Sequence, residues 1–378
     1  MFNLKIITWF LLLSTIAFGQ LSNANKTLIH TQTGKTVDKG QLTFSNDMNF
    51  YSNVAEFIGQ SEPANFSETN YWLVAGNTNL TYGITDVLDV SLGLRLYQDT
   101  HRRNEYNLPD DIFLTLRAGS FAFGRNHFYQ GFLTSFRFPT GEVHNYPFAE
   151  YASGAFEYGL MYAVSYYDDP YLPHRAYSLH FNIGWWNHNE AGRTFKFRNG
   201  SEFESGVSSN DIRMALAAVF PTALFDFRLE LSGILYAQRP ESFVYSAEEW
   251  AYFTPSVRFK PWKSLSFDLA ADLLLSPSDR QWTTADIPDI STNLDLPTSY
   301  PNWKIHMGAN VSLNVLKQNF GVGSNYAREE AKEKIELFET ILEEQEKAET
   351  VQGQLENLRR VRKEAEKEIE ELEKLINE

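Results

Sequence analysis

Between Leu88 and Tyr97 the chain alternates without a break, with Leu88, Val90, Leu92, Leu94 and Leu96 at one parity and Asp89, Ser91, Gly93, Arg95 and Tyr97 at the other. Successive side chains of a strand point to opposite faces, so this stretch reads as a strand with one apolar and one polar face. The pattern recurs in twelve segments, near 40–52, 70–83, 87–99, 110–123, 127–139, 151–167, 176–188, 209–220, 224–238, 249–260, 265–276 and 302–316. Most run 11 to 17 residues. That exceeds the ~5–6 residues of soluble strands and accommodates the ~9–11 tilted residues that cross a bilayer.

The connectors alternate too. Gly83 to Asp86, Gly124 to Asn126, Pro221 to Ala223 and Pro261 to Ser264 are tight, whereas 53–69, 140–150, 189–208, 239–248 and 277–301 are long and polar. The connector Asp168 to Arg175, with Pro170 and Pro173, is the one long member of the short set. Short turns at one end and long loops at the other are the layout of membrane barrels, the short turns facing the periplasm. An even number of strands then puts both ends of the barrel on that side.

The apolar parity carries residues suited to lipid. Examples are Phe132, Phe136 and Phe138 on the fifth segment, Tyr158, Leu160, Tyr162 and Val164 on the sixth, and Leu179, Phe181, Ile183 and Trp185 on the seventh. Hydrocarbon cannot satisfy backbone N–H and C=O groups, so such a sheet must close on itself. Aromatic content of 15% with a mean hydropathy of −0.36 fits alternation hidden inside a polar average. A soluble β-sandwich would also alternate, but its outer face would not place so many charges on strands this long.

Export is expected from the first residues. Lys5, the apolar run Ile6 to Leu13 and the small-residue ending Ala17-Phe18-Gly19 have the three-part layout of a secretory signal, with cleavage after Gly19. The chain has no cysteine, which excludes disulfides and thiol chemistry. A net charge of −15 argues against nucleic acid as a partner, because phosphate binding needs clustered Lys and Arg.

The polar parity should line the lumen. It holds Asp89, Glu157, Glu230, Asp268 and Asp272 among the acids, with Asp47, Asp211 and Asp226, and Arg95, Arg117, Arg137, Arg213, Arg228 and Arg258 among the bases, with Lys260 and Lys304. These charges either set a transverse field that orients a solute or neutralise each other to fill the cylinder. A twelve-strand barrel lies between those filled by their own side chains and those with open channels, so a narrow or plugged bore is expected. Residues 20–39, which lack a strand pattern, are expected to enter the barrel in part.

The same parity carries residue types that catalysis uses. Ser178, His180 and Asn182 share one face of the seventh segment, but they fall near the short-turn end, away from the outer leaflet on which barrel lipases act. His188 with Glu190, and His306 near Lys304, are weak signals for a metal, and neither phosphate loops nor zinc helices occur. No catalytic residue, metal site or cofactor is assigned, and the chain reads as no enzyme.

Beyond Val315 the alternation stops, 317–325 reads as a linker, and 326–378 turns to Glu, Lys, Ala, Leu and Arg. Leu355, Leu358, Ala365, Ile369, Leu372 and Ile376 fall at spacings of three and four, with Arg362 interrupting the apolar set. Such a narrow seam on a coiled-coil-like helix needs a partner protein or a second copy to cover it.

Met1–Gly19 together with the twelve alternating segments resembles a Gram-negative outer-membrane β-barrel, and the ending Ala17-Phe18-Gly19-Gln20 is similar to signals in Bacteroidota. The resemblance implies an all-β, antiparallel, up-and-down transmembrane barrel over 40–316, after a signal peptide at 1–19 and a periplasmic segment at 20–39, embedded in outer-membrane lipid. The helical tail departs from it. The expected role is a structural or accessory barrel presenting that tail to a periplasmic partner. The alternatives are a narrow channel or transporter for small polar solutes and, further off, a lipid hydrolase.

Overall fold

The computed structural model describes residues 28–54, 70–101, 111–141, 144, 150–169, 175–196, 201–244, 246–262, 264–276 and 300–315, and within the tail 353, 355 and 358–363. Twelve of its strands run β1 (Gln41–Val54), β2 (Asn70–Thr85), β3 (Leu88–His101), β4 (Ile112–Phe123), β5 (Phe128–Phe138), β6 (Glu157–Tyr167), β7 (Ser178–Asn187), β10 (Asn210–Pro221), β11 (Phe225–Gln238), β12 (Trp250–Trp262), β13 (Leu265–Leu274) and β14 (Trp303–Asn314). Each pairs antiparallel with its neighbours in sequence, and β1 pairs with β14 from Gln41↔Asn314 to Phe50↔Ile305, which closes the barrel and leaves no edge.

The tight connectors lie at one end and the long ones at the other, as the alternation of lengths requires. Parity decides the faces: along β7 burial alternates strictly from Ser178 to Trp186, with Ser178, His180 and Asn182 inside and Leu179, Phe181 and Ile183 outside. Outward apolar side chains stay bare, among them Leu269 at 58% and Met307 at 61% exposure. On a soluble protein so continuous an apolar surface would drive association, whereas in a bilayer it is covered by lipid.

Two features depart from the sequence reading. The expected loop 189–208 contains a short hairpin, β8 (Thr194–Lys196) paired with β9 (Glu202–Glu204). The expected sixth segment, 151–167, is a strand only from Glu157. Tyr151, Ala152 and Ser153 fold inward instead and are buried, because the Glu157 carboxylate accepts hydrogen bonds from the Ser153 N–H and hydroxyl at 2.7 and 2.8 Å.

Of the expected helical tail, only residues 353, 355 and 358–363 are described; they are helical, with Leu355 and Leu358 exposed, and a coiled coil over 326–378 is not supported by them. Ala365, Ile369, Leu372 and Ile376 lie outside the described residues, as do the signal segment 1–19 and the linker 317–325.

Candidate functional site: a strap inside the barrel

Residues 28–38 occupy the lumen. Leu28, Ile29, His30, Thr31, Gln32 and Thr33 are all buried although they belong to no strand. From mid-lumen this strap descends to the short-turn rim, where Gly40 leads into β1. A segment without a sheet partner must still satisfy its backbone groups, and here the barrel wall does so.

The deepest anchor is Glu230 on β11. Its carboxylate accepts the backbone N–H groups of Ile29, His30 and Thr31 at 2.7, 2.9 and 2.9 Å and the Thr31 hydroxyl at 2.9 Å. Three amides on one carboxylate form a strong, charge-assisted cradle. One step down, Asn182 clasps Gln32 from both sides, accepting its N–H at 2.6 Å and donating to its carbonyl at 2.8 Å. Arg117 on β4 donates to the carbonyl of Lys35 at 2.8 Å and to the Gln32 side chain at 3.0 Å, while Asp89 accepts the Val37 N–H at 2.9 Å.

A defect in β4 completes the seat. The register between β4 and β5 shifts between Ala118 and Phe121, and Ser120 takes φ of 60°. Bulges re-aim groups out of the ladder, and this one turns Ser120 toward the strap. The Ser120 N–H donates to Gly34 O at 2.8 Å, and its hydroxyl accepts the Thr36 N–H at 3.0 Å. Gly34 must lack a side chain, since a Cβ would lie 2.3 Å from the Tyr129 carbonyl oxygen. On the facing wall a Cβ at Gly119 or Gly131 would lie 2.8 or 3.0 Å from the Gly34 carbonyl oxygen. Sequence reasoning missed this hollow, although glycines inside strands mark close backbone approach and could have pointed to it.

The remaining inward charges form compact groups. Asp268 binds Arg258 through both oxygens at 2.8 Å, Arg228 at 2.7 Å and Asn310 at 2.7 Å. Asp272 receives Lys304 at 3.2 Å, the Thr254 hydroxyl at 2.7 Å and two histidines. Toward the long-loop end, Glu157 lies against Trp186, His188 and Arg137, Asp211 holds Arg213, and Asp111 holds Arg137. Arg95 donates to Asn77 at 3.0 Å. The acids and bases thus meet in local groups and do not form opposed walls.

Two histidines resolve differently. His180 hydrogen bonds Ser178 at 3.0 Å and Ser165 at 2.8 Å, with Asn182 turned to the strap, so the three residues on that face form no nucleophile, base and orienting acid in sequence. His188, just past β7, contacts Glu157 at 3.2 Å and Asp211 at 3.1 Å. Burial alone would lower its pKa, but the two carboxylates outweigh burial and raise it from 6.5 to about 9. A raised pKa means that the folded chain holds the proton more tightly than the unfolded one, so the stabilisation is complete below about 6.5 and is lost as pH rises through about 9. The unfolding temperature in detergent should therefore fall across that alkaline window, and His188→Asn should flatten the dependence; a wild-type profile that is already flat would contradict it.

Toward the long loops a small cavity of about 30 Å³ is lined by Asn77, Asn79, Arg95, Arg137, Glu150 and Arg213, with Phe113 and Trp186 at its sides.

No protein-family model and no curated protein matches this chain. Among solved structures, an outer-membrane channel from Pseudomonas putida F1 is similar over 76% of this chain and 100% of its own, with a TM-score of 0.46 and 10% identity. The NanC porin is similar over 71% of this chain and 100% of its own, with a TM-score of 0.42 and 10% identity. The TodX deltaS2S3 mutant monoaromatic hydrocarbon channel is similar over 79% and 96% of the two chains, with a TM-score of 0.40 and 10% identity. No property of these channels carries over at such distances.

Proposed function

We propose that the chain is an outer-membrane channel for small polar solutes, with its short turns and the barrel's two ends on the periplasmic side and its own strap as the plug. The observation that supports this reading is the bore itself. It is lined largely by polar and charged side chains, has a small polar cavity toward the long loops, and is occupied below by eleven residues (28–38) whose backbone is held mainly by hydrogen bonds from wall side chains. A filled structural barrel needs no such removable occupant, since its wall side chains can meet one another directly.

The many charged and polar groups of the lining favour polar cargo, because an apolar solute would displace the water that solvates those facing the bore. Osmotic swelling of proteoliposomes tests the proposal. Chain lacking 20–38 should admit pentoses and small amino acids at rates that fall with solute size, and the intact chain should admit them more slowly. If neither form admits any polar solute, the channel reading is wrong.

A further inference from the structure

The strap meets the wall at a second kind of contact. His30 from the strap, Asp272 from β13 and His306 from β14 come together in the lumen, all buried, and one ligating atom from each lies within 4.8 Å of the others. His30 Nε2 is 2.8 Å from Asp272 Oδ1, and His306 Nε2 is 2.9 Å from Asp272 Oδ2. The rings stand edge to face, with centroids 5.5 Å apart and planes at 86°.

We infer that this trio is a binding site for a divalent transition metal, zinc by its donor set, which staples the strap to the barrel wall. Two imidazole nitrogens and one carboxylate oxygen are the donors of open three-residue zinc sites, in which a water completes the tetrahedron. Tetrahedral bonds of about 2.0–2.1 Å put donor atoms roughly 3.3 Å apart, so the trio, whose ligating atoms lie within 4.8 Å of one another, would draw together by ring rotation to take the ion. A carboxylate also stands where metal-bound histidines carry their orienting contact. Asp47 Oδ2 is 3.6 Å from the buried, unbonded Nδ1 of His306, so a small ring shift would make the hydrogen bond that leaves Nε2 to ligate. Lys304 Nζ, 3.2 Å from Asp272 Oδ2, would stay on that oxygen while Oδ1 turned to the metal.

Two features separate this trio from ordinary histidine–carboxylate pairs. Both rings present the same nitrogen to one carboxylate, and the three residues come from three chain segments, one of which belongs to the strap. An ion here would hold the strap more firmly than the amide cradle of Glu230 alone. The site does not depend on solute passage, because metal content is read on the purified chain whether or not it conducts.

The test is equilibrium binding of zinc chloride to the full mature chain in detergent after chelator treatment, with retained metal measured by mass spectrometry. Wild-type chain should hold one zinc per barrel, His30→Ala and His306→Ala should each weaken binding at least tenfold, and Asp47→Asn should weaken it by about tenfold by loosening the hold on the His306 ring. Cobalt(II) in place of zinc should give the visible absorption of a four-coordinate site in the wild type, a readout that requires no variant to fold. Retention of no zinc by the wild type at micromolar concentration, retention by both histidine variants equal to that of the wild type, or a six-coordinate cobalt spectrum would each overturn the assignment.

Discussion

Chain lacking residues 20–38 should conduct about ten times better than the intact chain in planar bilayers, with the barrel otherwise unchanged. Twelve strands about 4.8 Å apart and tilted by ~40° make a backbone cylinder of radius ~12 Å. Side chains reaching about 6 Å inward leave a bore of roughly 12 Å, about the width of one extended chain with its side chains, which packs at ~10 Å. The strap therefore takes up most of the free cross-section, and conductance scales with that cross-section. Its removal leaves Glu230, Asp272 and Arg117 facing water, where their charges are well solvated, so the wall should persist. Gly34→Val offers the same effect without deletion, because a side chain there collides with the Tyr129 carbonyl and must push the strap out of its hollow. Equal, small conductance from the intact, deleted and Gly34→Val chains would show that something else closes the pore.

The largest loss of stability should follow Glu157→Ala. Glu157 is fully buried and is shared by the Ser153 N–H and hydroxyl, the Trp186 indole at 2.8 Å, His188 at 3.2 Å and Arg137 at 3.9 Å. Its removal leaves several donors and part of two cationic groups without a counterpart in an enclosed space. Breaking one side of such a buried network costs about 3–5 kcal/mol, which lowers an unfolding midpoint by roughly 10 °C. The inward fold of Tyr151 to Ser153 should be lost with it, since Glu157 is what draws that segment in. Glu202→Ala is the matched control, because its pair with Lys196 on the outer hairpin is exposed to solvent on both sides and should leave the midpoint unmoved. Heat-modifiable gel mobility reads both variants, and equal midpoints would mean that the Glu157 network contributes no net stability.

How much of this could be read in advance differs from element to element. The run Leu88 to Tyr97 states its own face assignment, and β3 follows it because alternation is a local property that needs no knowledge of neighbours. Tyr151 to Phe156 also alternates loosely, yet it leaves the sheet, because the competing pull comes from Glu157 bonding back four positions. The tiny hairpin at Thr194 and Glu202 was hidden for a similar reason: three-residue strands carry too few positions for a period to show. His30 carried no signal at all, sitting in a stretch without periodicity.

Local alternation, strand length and the spacing of turns were enough to determine a closed twelve-strand cylinder, because each is fixed by neighbouring residues and because unpaired backbone cannot remain in lipid. What fills the cylinder was decided only in three dimensions. The bond from Ile29 to Glu230 spans 201 positions, and the meeting of His30 with Asp272 spans 242. Contacts of that reach depend on the barrel's radius, the β4 bulge and the glycine hollow acting together, and no short window of sequence encodes a sum over the whole wall.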